Sequence, residues 1–156
     1  MKSWNGFVSL MVLAALAVLA GCEGRPSLFP NSDDALNKTS TQFAADAARR
    51  FPYPSGAERP GDAKGRATVD PMFAQLQVLN YSDEDWNNVD IWVNRAYVVH
   101  VPHISKAKEK VETLNFQMLY NKDGHFFDTH NGQNPMKEVE LYREGKMYHI
   151  PLALAD

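Results

Sequence analysis

The chain of 156 residues holds a single cysteine, Cys22. No disulfide can form within one molecule, so any folded part is stabilised by its core alone. Long apolar runs are lacking too: the longest, Phe7 to Ala20, has fourteen residues, against the roughly 20 that a membrane-spanning helix needs. Positive charge is in short supply. With 16 Lys and Arg against 19 Asp and Glu the formal net charge is -3, which argues against a nucleic-acid partner, because polyanion binding requires a basic face. Glycine-rich phosphate loops and dinucleotide fingerprints are absent. From Pro71 onward the hydroxyls are Ser82, Ser105, Thr113 and Thr129, and none sits in a glycine-flanked nucleophile elbow. These absences remove the readily recognised hydrolase and transferase mechanisms, and the expectation is a non-enzyme without a cofactor.

What is present begins at the N-terminus. Lys2 precedes the charge-free run Phe7 to Ala20, and Leu19-Ala20-Gly21-Cys22 closes it. This is the layout of an export signal, with a basic start, an apolar centre and small residues before the cut. The tetrapeptide resembles the lipobox of bacterial lipoproteins. The resemblance implies that residues 1–21 are a signal peptide, that Cys22 receives a diacylglyceryl group on sulfur and becomes the mature N-terminus, and that the partner at this end is a membrane. More than one acyl chain would hold firmly, since each buried methylene contributes about 0.8 kcal/mol. In diderm members of that family an aspartate after the cysteine commonly retains the protein in the inner membrane; Glu23 in that position favours the outer membrane.

The remainder divides by composition near Asp70. Between Glu23 and Asp70 the only aliphatic residues beyond alanine are Leu28, Leu36 and Val69, set among five prolines, and seven basic residues balance seven acidic ones. Such a segment has too little apolar surface to offset chain entropy, so residues 22–70 are expected to form a disordered tether. One interruption is a short helix over 41–51, capped by Thr41 and stopped by Pro52, with Phe43, Ala47 and Phe51 on one face. It is expected to be transient, or to lean on its own domain, rather than to dock a partner.

From Pro71 to Asp156 there are eighteen Val, Leu and Ile residues and eleven aromatics, enough for one compact domain. The spacing is that of strands. Leu76 and Val78 alternate, as do Val89, Ile91 and Val93, then Tyr97, Val99 and Val101, with Asn94-Arg95 as a tight hairpin between the last two runs. Glu144-Gly145 marks a second hairpin, and Asn121-Lys122-Asp123-Gly124 a turn into Phe126 and Phe127. Lys108 to Leu114 reads as a strand with Val111 and Thr113 inward. Six or seven short strands without a long helical period predict an all-β domain over 71–156, a small antiparallel β-sandwich. The run from Asn80-Tyr81-Ser82 through Trp86 to Phe126-Phe127 loosely resembles small Ig-like sandwich domains of uncharacterised bacterial envelope proteins. That resemblance implies a fold and no activity.

Three groups of residues are candidates for a site. On strict alternation Trp92 points away from Val89, Ile91 and Val93, so Trp92, with Trp86 and Tyr142, could form an exposed aromatic binding surface, unless the preceding tether or a partner sheet covers Trp92. Imidazole and carboxylate suit zinc, which makes His100, His103, Asp128 and His130, with His125 nearby, the alternative set; an odd separation, however, sends His100 and His103 to opposite faces of a strand. Asp83-Glu84-Asp85-Trp86-Asn87-Asn88-Val89-Asp90 resembles the start of a calcium loop but has Asn88 where glycine belongs and Asn94 where a bidentate glutamate belongs. Lys106, Lys108 and Lys110 read as guards of a sheet edge. The functional expectation is a lipid-anchored envelope protein whose sandwich is a non-catalytic module binding an envelope protein or glycan; the alternative is a metal-binding protein or metal-dependent hydrolase.

Overall fold

Alternation at the centre of the chain builds the first sheet. In the computed structural model, which describes residues 36–106, 110–129 and 134–155, Trp86–Val93 (β4) and Tyr97–Ile104 (β5) pair antiparallel with Ile91 opposite Val99 and Val93 opposite Tyr97. Asn94 and Arg95 between them both have positive φ, 50° and 56°, as a twist-matched hairpin requires. Val139–Arg143 (β7) and Lys146–Ile150 (β8) form the second predicted hairpin, joined by Glu144-Gly145 at φ 51° and 80°. The signal segment, Cys22, Glu23, Lys108 and His130 lie outside the described residues.

The protein is all-β and sandwich-like, with two sheets. Two strands upstream of Pro71, Glu58–Asp62 (β1) and Gly65–Asp70 (β2), join Gln75–Asn80 (β3), Glu112–Asn115 (β6) and Leu152–Leu154 (β9) in completing them. The five-stranded sheet has the order β1-β8-β7-β4-β5, and the four-stranded sheet β6-β3-β2-β9. Purely antiparallel pairing is corrected at two places. The chain bends between β1 and β2, and again at Pro151 between β8 and β9, so these two bent segments run side by side from one sheet into the other. They pair in parallel, Asp62 with His149 and Val69 with Leu154. One core unites the sheets, with Val89, Ile91, Val101, Leu114, Leu76, Val78 and Ala67 all fully buried.

The expectation of a disordered tether through Asp70 is therefore corrected from residue 36 onward. Ser40–Ala48 (α1) is a helix, and its cap is Thr39, not Thr41. Thr39 and Gln42 form a reciprocal capping box, which satisfies two otherwise orphaned donors. Phe43 and Ala47 are buried and the helix packs by β5. β2 then pairs in full register with β3, Ala67 opposite Val78 and Val69 opposite Leu76. Composition hid this strand because its inward residues, Gly65, Ala67 and Val69, are small. Lys108 to Leu114 is corrected as well: strand β6 starts at Glu112, buries Glu112 and Leu114, and leaves Val111 exposed.

Candidate functional site

Trp92 does lie on the outer face of the five-stranded sheet, but it is only 1% exposed. Phe51 and Tyr53, from the proline-flanked segment after α1, meet its rings edge to face at 5.2 and 5.1 Å. Its indole N–H has no acceptor among the described residues, so Trp92 contributes apolar area and not a hydrogen bond. Trp86 is also buried, at 2% exposure, and its Nε1 donates to Ser82 Oγ at 3.1 Å. Gly65 faces the Trp86 ring so closely that a Cβ there would stand 2.5 Å from it. The expected exposed patch of Trp86 and Trp92 is corrected: both serve the core.

Tyr142, the third member, is half-buried and lines a cleft of about 370 Å³. Strand register sets what stands beside it. Asp90 on β4 is opposite His100 on β5 and opposite Tyr142 on β7, which gives a row of three functional groups across neighbouring strands. From above, Arg50 Nε donates to Asp90 Oδ1 at 2.6 Å, while Arg50 Nη1 donates to the Asp46 carbonyl at 2.6 Å. His100 Nδ1 stands 2.8 Å from the same Asp90 oxygen. An ionised carboxylate only accepts, so His100 Nδ1 is the donor there and a neutral ring carries its basic lone pair on Nε2. Arg49, Asn88 and Glu144 complete the lining. No serine, threonine or cysteine belongs to it, so the cleft offers an oriented imidazole, a phenol and guanidinium groups without a hydroxyl or thiol nucleophile of the usual kind.

No family model, curated protein or solved structure matches this chain. The cleft is therefore read from its own chemistry.

The metal candidates are dispersed among separate partners. At Asn88, φ 49°, the alternation of β4 resets opposite Pro102, so Trp86 and Val89, like Val101 and Ile104, are buried three apart. The odd-separation argument for His100 and His103 fails at this irregularity. His103 Nδ1 nevertheless engages Asn87 Oδ1 at 2.9 Å, away from the Asp90–His100 pair. Asp128 is exposed beyond Phe127. Among the described residues no three His, Cys, Asp or Glu side chains come together as a metal-holding group.

In the acidic loop, Asp85 Oδ1 accepts the backbone N–H of Lys106 at 2.8 Å and Glu84 accepts from Arg143 at 2.9 Å. Buried Asn80 ties the same loop through Nδ2 to the Glu84 carbonyl at 2.9 Å and through Oδ1 to Ser82. These oxygens anchor a loop between strands. The hydrogen bond that it donates to Glu84, offset in part by burial, holds the Arg143 guanidinium above its ordinary pKa.

Sequence reading missed a second polar cluster, next to Trp92. Glu140 is opposite Trp92 in register and only 1% exposed. Its carboxylate accepts from Tyr53 OH at 2.5 Å and from Arg59 Nη1 at 2.5 Å, and Arg59 also bonds the Tyr53 hydroxyl. Burial, and then the Glu140 hydrogen bond, push the Tyr53 phenol above its ordinary pKa. Arginines and prolines before residue 60 were the available signal, but their partners lie some 80 residues away.

Proposed function

We propose that this protein is a lipid-anchored component of a bacterial cell envelope whose β-sandwich serves as a non-catalytic binding module. The observation that carries the reading is Leu19-Ala20-Gly21-Cys22 at the end of a charge-free run of fourteen residues, with Glu23 favouring the outer membrane. The row His100, Asp90 and Tyr142 supports the binding role: Asp90 is held by Arg50 and His100, Tyr142 stands beside it in register, and the cleft lining lacks a serine, threonine or cysteine nucleophile. The partner, an envelope protein or a glycan, meets Tyr142 and His100 rather than Trp92. The test is Cys22→Ala in intact cells. Unprocessed, unlipidated precursor is expected, and normal maturation of that variant would sink the lipoprotein reading. A photo-crosslinking residue at position 142 checks the module: a discrete adduct, weakened by His100→Ala, is expected, whereas the same adduct from a distant surface position would remove the cleft from consideration.

A further inference from the structure

Hairpin turns that face water are usually polar, yet β2 and β3 are joined by Pro71-Met72-Phe73-Ala74. The turn is pinned. Asp70 Oδ1 accepts the Phe73 N–H at 3.1 Å, the Ala74 carbonyl accepts the Phe116 N–H at 2.9 Å, and Ala74 holds φ 51°, a conformation that disfavours a side chain. This order leaves Met72 85% and Phe73 63% exposed. Beside them, Leu154 is 74% exposed where β9 ends, in register with Val69, the residue before Asp70. Three large apolar side chains thus share one end of the four-stranded sheet.

Apart from Asp70 and Asp156 at their borders, the chain segments that meet at that end are uncharged. Residues 71–80, 113–121 and 150–155 contain no Asp, Glu, Lys, Arg or His. Charge collects at the opposite end, where Lys64, Asp83, Glu84 and Arg143 line a cleft of about 450 Å³. We propose that this apolar tip is a membrane-contacting surface, with Met72, Phe73 and Leu154 entering the headgroup boundary of the bilayer that holds Cys22. This rests on the lipoprotein reading of Cys22.

Distance and area favour lipid as the occupant. The fourteen steps from Cys22 to Leu36 extend to at most about 50 Å, against a domain about 30 Å across, so the folded part never leaves the neighbourhood of the membrane. A weak insertion then acts at the high effective concentration that a short link supplies. Three side chains at these exposures offer about 500 Å² at most, well short of the roughly 800 Å² per partner typical of a stable protein interface. With no Lys or Arg in these three segments, the contact is apolar and does not depend on anionic headgroups.

The test uses the full lipoprotein reconstituted into phosphatidylethanolamine and phosphatidylglycerol vesicles doped with a photoactivatable phospholipid, followed by peptide mass analysis. Adducts are expected on the peptides carrying Met72, Phe73 and Leu154. They should persist in about 1 M salt, where charges are screened within about 3 Å. The double variant Met72→Ser, Phe73→Ser, at exposed positions, should keep its circular dichroism and lose the Leu154 adduct. Adducts spread evenly over the domain, or links between Phe73 residues of two copies, would overturn the inference. The mass of the Cys22 peptide separates the two readings: acylated Cys22 without adducts at 72 and 73 removes this inference alone, and an unacylated cysteine removes the anchor beneath it.

Discussion

Both faces of the five-stranded sheet are covered, but by different means. On the inner face Val89, Ile91, Val99 and Val101 meet the aliphatic residues of a second sheet, and area alone explains the association. On the outer face the cover is a helix and an irregular strand of chain that contribute two aromatic rings over Trp92 and then close the rim with charge, Arg50 on Asp90 and Arg59 on Glu140. The inner face is tolerant in partner and strict in shape. The outer face is specific in partner: Glu140 is buried, and removing either donor leaves a carboxylate short of the hydrogen bonds that offset its desolvation.

The strongest way to break the comparison is Trp92→Ala. Truncating a buried tryptophan costs about 3–5 kcal/mol, and here Phe51 and Tyr53 lose the surface they pack on as well. Urea unfolding should show a midpoint shift of that size, and an unchanged midpoint would mean that the outer cover contributes nothing. Gly65→Ala probes the inner face. The new Cβ would stand 2.5 Å from the Trp86 ring and 2.7 Å from the Leu79 carbonyl oxygen, so one of them must move, at about 1–3 kcal/mol. Wild-type stability for this variant would show that the seam between the sheets has slack.

How much of this was legible follows the same division. Strands β3, β4, β5, β7 and β8 and the turns at Asn94, Asn121 and Glu144 carry their periods and turn residues locally, and the all-β class follows from them. The outer cover is written in residues that read as linker, Arg50, Phe51-Pro52-Tyr53-Pro54 and Arg59, and the polar partners of Arg50, Tyr53 and Arg59 are 40 to 87 positions downstream. Trp92 misled for the same reason. Alternation states correctly that it leaves the inner core, and cannot state that Phe51 and Tyr53 return to cover it. His100 and Tyr142 were singled out from the sequence, but Asp90, which joins them, was seen only as one oxygen of an acidic loop.

The subtlest probe is Tyr53→Phe, which deletes one hydrogen bond of the outer rim and keeps the ring over Trp92. At neutral pH it should cost about 1 kcal/mol, because Glu140 keeps its bond from Arg59. Its dependence on pH is more telling. Burial first, and the Glu140 hydrogen bond second, raise the Tyr53 phenol in the folded state above its ordinary value of 10.0, although Arg59 opposes the shift. A raised folded-state pKa means that the contribution is complete below pH 10 and is lost as pH climbs through the folded value, where the unfolded chain binds fewer protons. Other tyrosines and the lysines titrate in the same range, so the informative quantity is the difference in unfolding free energy between wild type and variant. That difference should be flat up to about pH 10 and shrink above it. A difference that stays constant into strong base would mean that folding does not shift the Tyr53 phenol, and a difference near zero at every pH would mean that Tyr53 rests on Trp92 by its ring alone while the arginines hold the charged rim.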